Sequence, residues 1–143
     1  MNVRSILQSK GAAVHTIAPS ERLDAAAREL DARGVGALVV VDGARRVTGV
    51  FSERDLAREV AQRGSAALER RVEEAMTRGV ATVTPGDTLD VVMGRMTDRR
   101  VRHLPVIEDG RLAGIVSIGD VVKRKIEEAE AESQAMRDYI SAS

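Results

Sequence analysis

Two stretches, Gly49-Val50-Phe51-Ser52-Glu53-Arg54-Asp55 and Gly114-Ile115-Val116-Ser117-Ile118-Gly119-Asp120, hold the residues with the most chemical promise in this chain. In each, a glycine enters a short apolar strand and Ser-x-x-Asp opens a helix, the pattern of a capped N-terminus whose first amides lack intrahelical partners. Such an end offers backbone donors and partial positive charge to an anion, while a nearby carboxylate can accept hydrogen bonds from ribose hydroxyls. The combination suits a nucleotide, provided the carboxylate keeps some access to solvent. The plainer reading is a capping signal that adds about 1 kcal/mol to helix stability and binds nothing.

Other chemistries find little material. There is no cysteine, no Gly-x-Ser-x-Gly elbow, no Walker loop and no His-Glu-x-x-His, so the chain is read as a binding protein without a catalytic cofactor rather than an enzyme. Two histidines are too few for a His-rich metal site, and thiolate sites and disulfides are impossible. The 22 basic residues are balanced by 22 acidic ones, and Phe51 and Tyr139 are the sole aromatics, which removes both the electrostatic footprint and the stacking platform of a nucleic-acid binder. The longest apolar run, Ala37 to Val41, is far too short to cross a bilayer, and no signal-peptide apolar region opens the chain. The expected setting is cytoplasmic, with no membrane partner.

Those two stretches belong to an internal duplication. Pro19 lies over Pro85 at a shift of 66 residues and Gly49 over Gly114 at a shift of 65. In this register Ile17 meets Val83, Leu23 meets Leu89, Leu38 meets Leu104 and Val40 meets Val106. Copies of a unit too small to bury its own apolar face stack on one another.

The elements that must position the two Ser-x-x-Asp turns follow from periodicity. Val3, Ile6 and Leu7, echoed by Val72, Ala75 and Met76, predict short lead-in helices before each repeat. Val14 to Ile17 and Val80 to Val83, both rich in β-branched residues and stopped before a proline, predict short strands. Leu23, Ala26, Ala27 and Leu30 predict a helix ending near Arg33, with Gly34 as its left-handed cap; Leu89, Val92, Met93 and Met96 predict its copy, closed by Arg99 and Arg100. Ala37 to Val41 and Leu104 to Ile107 are continuous apolar runs implying strands buried on both faces, each turned by Asp-Gly into a hairpin partner, Val47 to Phe51 and Leu112 to Val116. Beyond Asp120 a helix continues with Val122, Ile126, Ala129, Ser133, Met136 and Ile140 in coiled-coil-like steps; it reads either as packed on its own domain or as a seam between two subunits.

The doubled Gly-apolar-apolar-Ser-x-x-Asp, Arg102-His103-Leu104-Pro105-Val106 with the looser Gly36-Ala37-Leu38-Val39-Val40, and the two Pro-terminated strands together resemble a tandem pair of cystathionine-β-synthase (CBS) domains over nearly the whole chain. The resemblance implies an α+β fold in which two strand-helix-strand-strand-helix repeats pack through their sheets about a pseudo-twofold axis. It divides the chain into repeat 1 with its lead-in helix (1–66), repeat 2 with its own (67–126) and a C-terminal helical extension (127–143). It implies a regulatory or sensor module that binds an adenosine-containing ligand (AMP, ADP, ATP or NAD(H)) in clefts between the repeats. Such a module acts through ligand-dependent association, as a homodimer or with a protein target in trans. The alternative is a structural dimerisation protein whose clefts are vestigial.

Carried over by position, the resemblance makes Asp55 and Asp120 the ribose acceptors and Ser52 and Ser117 contacts to ribose or phosphate. Adenine is expected against the strand edges at Val35-Gly36-Ala37 and Arg102-His103-Leu104, with Pro105 following. The clefts are expected to be crossed: Ser52 and Asp55 with Thr84 and Arg102 to Leu104, and Ser117 and Asp120 with Ala18 and Val35 to Ala37. Arg54 beside Asp55, where repeat 2 has Gly119, and Thr84 where repeat 1 has Ala18, make the Asp55 cleft the expected tighter site.

Overall fold

The computed structural model describes residues 1–142. Repeat 1 runs β1 (Thr16–Ile17), α2 (Leu23–Arg33), β2 (Ala37–Val41), β3 (Val47–Ser52) and α3 (Glu53–Arg63), preceded by α1 (Val3–Lys10). A 3₁₀ turn over Gly64–Glu69 leads to α4 (Val72–Ala75), and repeat 2 continues with α5 (Leu89–Arg99), β4 (His103–Glu108), β5 (Arg111–Ser117) and α6 (Ile118–Ala142). The first sheet has order β1-β2-β3 with β1 parallel to β2, and the second is the antiparallel hairpin β4-β5.

The first strand of repeat 2 shrinks to one residue, Val83, bridged in parallel to Val106. The cause is Pro105. In repeat 1 the Val39 amide donates to the His15 carbonyl at 3.1 Å and so extends the pairing toward the N-terminus. Pro105 holds the matching position and has no N–H to give, so the ladder stops at the bonds that flank Val83.

Helices α2 and α5 each end on a left-handed residue. Gly34 has φ 63°, as its spacing predicts, and repeat 2 uses Arg100 at φ 55° for the same turn. The strands after them are covered on both faces: Leu38, Val39 and Val40 are all fully buried although alternate residues of a strand point to opposite sides.

Two cores result, and each is completed by the other repeat's lead-in helix. Val3 and Ile6 of α1 pack with Leu89, Val92, Leu104, Val106 and Val116 of repeat 2. Val72, Ala75 and Met76, from α4 and its end, pack with Leu23, Leu30, Leu38 and Phe51 of repeat 1. The lead-in helices thus serve the opposite halves from those the sequence order assigns them. This exchange accounts for both motif glycines. A Cβ on Gly49 would stand 2.7 Å from the Thr77 carbonyl oxygen and 2.8 Å from Met76 Sδ, and one on Gly114 would stand 2.8 Å from Leu7 Cδ2. These glycines let the foreign helix close on the hairpin.

Candidate functional site

At the end of β3, extended Ser52 (φ −113°, ψ 165°) caps α3. Its hydroxyl accepts from the Asp55 amide at 3.2 Å, and the Asp55 carboxylate accepts from the Ser52 amide at 3.0 Å. Repeat 2 builds the same reciprocal cap: the Asp120 amide donates to Ser117 Oγ at 3.1 Å and the Ser117 amide donates to Asp120 Oδ2 at 2.8 Å. Both Ser-x-x-Asp motifs are therefore capping boxes, and any ligand must use what the caps leave over.

What they leave over differs. Asp55 also accepts from Thr77 Oγ1 at 3.2 Å, from Arg58 Nη1 at 3.2 Å and from its own cap hydroxyl at 3.1 Å, and its side chain is 3% exposed. Asp120 accepts one further bond, from Lys10 Nζ at 2.7 Å, and its side chain is 23% exposed. Both of its bonds end on Oδ2, so Oδ1 carries none among the described residues. Burial pushes the Asp120 carboxyl up, but the Lys10 and Ser117 hydrogen bonds and the Lys10 charge together hold it below the usual carboxylate value. Accessibility was the condition for a sugar-binding carboxylate; Asp120 meets it and Asp55 does not. The burial of Asp55 weighs against the expectation that it heads the tighter site.

The flanking residues are sorted by hairpin register. Ala37 lies opposite Ser52, and the Glu53 amide donates to the Gly36 carbonyl at 2.9 Å, which sets Val35, Gly36 and Ala37 beside the Asp55 turn. His103 lies opposite Ser117, and the Ile118 amide donates to the Arg102 carbonyl at 2.8 Å, so Arg102 and His103 adjoin the Asp120 turn of their own repeat. Desolvation lowers the His103 pKa, the charge of Lys10 and that of Arg102 lower it further, and Asp120 pulls the other way. His103, assigned from sequence to the Asp55 cleft, thus lies in the field of Asp120, because an antiparallel pair faces the start of one strand with the end of the other.

Lys10, Asp120, Arg102 and His103 form a cluster with one carboxylate and two fixed cations around a helix N-terminus. Leu104 and Pro105 behind them are buried in the strand, while Arg102 and His103 are exposed. Thr84 is exposed and its amide donates to Asp87 Oδ2 at 2.9 Å, and Arg54 is an exposed arginine on the first turn of α3. The sequence reading missed Lys10 and Thr77, which decide how open each carboxylate is. They lie 110 and 22 positions from the aspartates they touch, and only the exchange of lead-in helices brings them there.

Two concavities lie away from both aspartates. One of about 1020 Å³ follows the outer edge of repeat 1 between Thr16–Glu21, α2 and Val41–Gly43. Another, of about 400 Å³, lies between the end of α2, Val35, Glu53 and Leu56. Among the described residues no group of three His, Asp or Glu side chains is placed to hold a metal ion, and no helix is long and apolar enough to cross a membrane.

Comparison with known proteins agrees with this architecture. A family model for the CBS domain matches residues 3–62 and again 72–127. The CBS-domain-containing protein ATU1752 of Agrobacterium tumefaciens superposes with a TM-score of 0.81 at 46% identity, covering 87% of this chain and 92% of that one. The CBS domain pair of protein MJ0100, solved with 5′-methylthioadenosine and S-adenosyl-L-methionine, superposes with a TM-score of 0.74 at 26% identity over 90% of this chain and 98% of its own. The mitochondrial protein CBSX3 of Arabidopsis thaliana is 38% identical over 119 residues, 80% of this chain, which spans 58% of that relative's length. CBS pairs are regulatory modules, and some of them hold adenosine-containing ligands. With two matched repeats, two hairpins capped by Ser-x-x-Asp and a shared pattern of packing, the chain belongs to the CBS-domain family.

Proposed function

We propose that this CBS pair is a sensor for an adenosine-bearing ligand with an anionic tail, bound at the Asp120 turn, and that it performs no chemistry on that ligand. The observation that carries the reading is the half-open Asp120 carboxylate, with one oxygen uncommitted, set beside Lys10, Arg102 and His103. A sugar diol donates to the carboxylate. Phosphate oxygens accept from Lys10, from the exposed Arg102 and from the Gly119 amide, the first-turn donor of α6 that the cap and the Arg102 carbonyl leave over. Adenine lies on the neighbouring strand edges, where backbone groups read its polar rim in the absence of an aromatic ring. AMP, ADP, ATP and NAD(H) share these contacts; MJ0100 supplies the precedent of adenosine compounds in a CBS pair.

Binding stabilises the arrangement of repeats or subunits that holds the ligand better, and shifts association with a second copy or a protein target by that difference in affinity. The Asp55 turn, sealed by Thr77 and Arg58, fits the structural alternative for its own half: a cap that holds the fold and is vestigial as a site. One ligand per chain is the expected stoichiometry.

A thermal-shift panel of AMP, ADP, ATP, NAD⁺, NADH and S-adenosylmethionine tests the reading, because a ligand at a hundred times its Kd adds about 2.7 kcal/mol of stability. At least one phosphorylated member is expected to raise Tm in the wild type and to do so much less in Asp120→Ala. A panel without a shift leaves the purely structural function standing.

A further inference from the structure

We infer that the outer part of α6 is one strand of a parallel two-helix coiled coil with a second copy of this chain. Residues 129–142 are all exposed, and an isolated helix of that length is marginal in water even with favourable sequence. Its apolar side chains are also exposed: Val122 is 49%, Ile126 53% and Met136 58% open to solvent. With Ala129, Ser133 and Ile140 these form the alternating three- and four-residue steps of a heptad seam, in which Val122, Ala129 and Met136 take d and Ile126, Ser133 and Ile140 take a.

The flanking charges name both the occupant and its direction. In that register Lys125 and Glu132 are g positions, and Glu130 and Arg137 are e positions. A parallel pair sets each g beside the e five residues later on its partner, so Lys125 meets Glu130 of the second copy and Glu132 meets Arg137 of the second copy, twice each by symmetry. An antiparallel pair with the seam fully overlapped sets Lys123 against Arg137 and makes Glu130 and Glu132 each face its own copy. Within the chain neither Glu130 nor Glu132 forms an ion pair among the described residues, whereas Lys125 is held at the near end by Asp90 at 2.8 Å. The pattern is self-complementary in one direction alone. Small Ala129 and Ser133 at the centre let the helices approach closely.

The test uses the full chain and does not depend on any ligand. Light scattering after size exclusion is expected to give a dimer, and Glu132→Arg is expected to weaken it about tenfold by opposing Arg137, while Glu132→Arg with Arg137→Glu restores it. The chain has no cysteine, so Met136→Cys is a clean probe: parallel helices bring the two thiols together at a d layer, whereas the antiparallel pair leaves them about 15 Å apart along the axis. Rapid oxidative cross-linking of Met136→Cys supports the proposal. A monomer at all concentrations, a dimer indifferent to Glu132→Arg, or a dimer that does not cross-link overturns it.

Discussion

The Asp55 and Asp120 turns share one capping box and part company at the third donor. For Asp55 the donors are the Thr77 hydroxyl, supplied by the chain just past α4, and Arg58 from its own helix, and they close over a carboxylate already inside the fold. For Asp120 the donor is Lys10, the last residue of α1, whose long flexible stem can swing away. A short hydroxyl and a long ammonium at the same seam turn one copy of a motif into a structural cap and leave the other displaceable. The two turns thus share their local geometry and differ in the residues that close over each carboxylate.

The largest effect that would break this comparison is a double dissociation between stability and binding. Asp55→Ala removes a buried carboxylate that ties together the Ser52 cap, Thr77 and Arg58, and is expected to lower unfolding free energy by about 3 kcal/mol in urea titrations, with any ligand affinity nearly kept. Asp120→Ala is expected to cost about 1 kcal/mol of stability, the value of a lost cap, and to lower affinity at least about tenfold by calorimetry. Equal stability losses with equal affinity losses would erase the distinction.

The glycines sharpen it at the next level. Gly49→Ala forces a Cβ against the Thr77 carbonyl, a backbone atom tied to Val50 by paired hydrogen bonds of 3.0 and 2.9 Å, so it is expected to cost about 2–3 kcal/mol. Gly114→Ala meets the end of the Leu7 side chain, which can turn, and is expected to cost about 1 kcal/mol or less. Reversal of that order in urea titrations would mean that α1, not α4, is the rigid wall.

These contrasts also show where reading the chain alone stops. The repeat register, both capping boxes, Gly34 at the helix end and the doubly buried β2 all follow from periods and residue types within one unit, because each is a local or near-local choice of the backbone. The exchange of α1 and α4 between cores carries no local signal: Val3 and Ile6 have the same apolar spacing whichever half they join. Lys10 and Thr77 depend on that exchange, so the sealing of Asp55 and the Lys10–Asp120 pair were beyond any pattern along the chain, whereas His103 beside the Asp120 turn was already implied by the β4-β5 hairpin register. Pro105 is an intermediate case, since its missing N–H could have foretold the shortened first strand of repeat 2 once its match to Val39 was noticed.

Lys10 gives a smaller, pH-dependent test. The folded Asp120 carboxyl titrates below its ordinary value of 3.8, so the unfolded chain binds the extra proton first as acid is added. The stabilisation is complete above that value and is lost as pH falls through the lower folded one. Lys10→Ala removes two of the causes of the depression, so its stability is expected to fall less steeply with acid over that window, while costing under about 1 kcal/mol at neutral pH because the pair is partly exposed. An unchanged acid limb would mean that the Ser117 groups alone hold the carboxylate.

The finest expected effect concerns what the ligand carries beyond its sugar. His103 titrates below 6.5 in the free protein because desolvation and the charges of Lys10 and Arg102 outweigh the pull of Asp120. A phosphate seated among these groups favours the imidazolium, so binding takes up a proton and affinity rises as pH falls through the histidine range, by up to about tenfold between about pH 7.5 and 5.5. Calorimetry in two buffers of different ionisation enthalpy reads that uptake directly. His103→Gln is expected to flatten the profile and His15→Gln to leave it alone, since His15 immediately precedes β1, the edge strand of the repeat-1 sheet, and not the β4-β5 hairpin that carries His103 and Ser117. A wild-type affinity that ignores pH across the range means that the bound compound presents no anion to His103, and narrows the ligand to adenosine compounds without phosphate, such as those held by MJ0100.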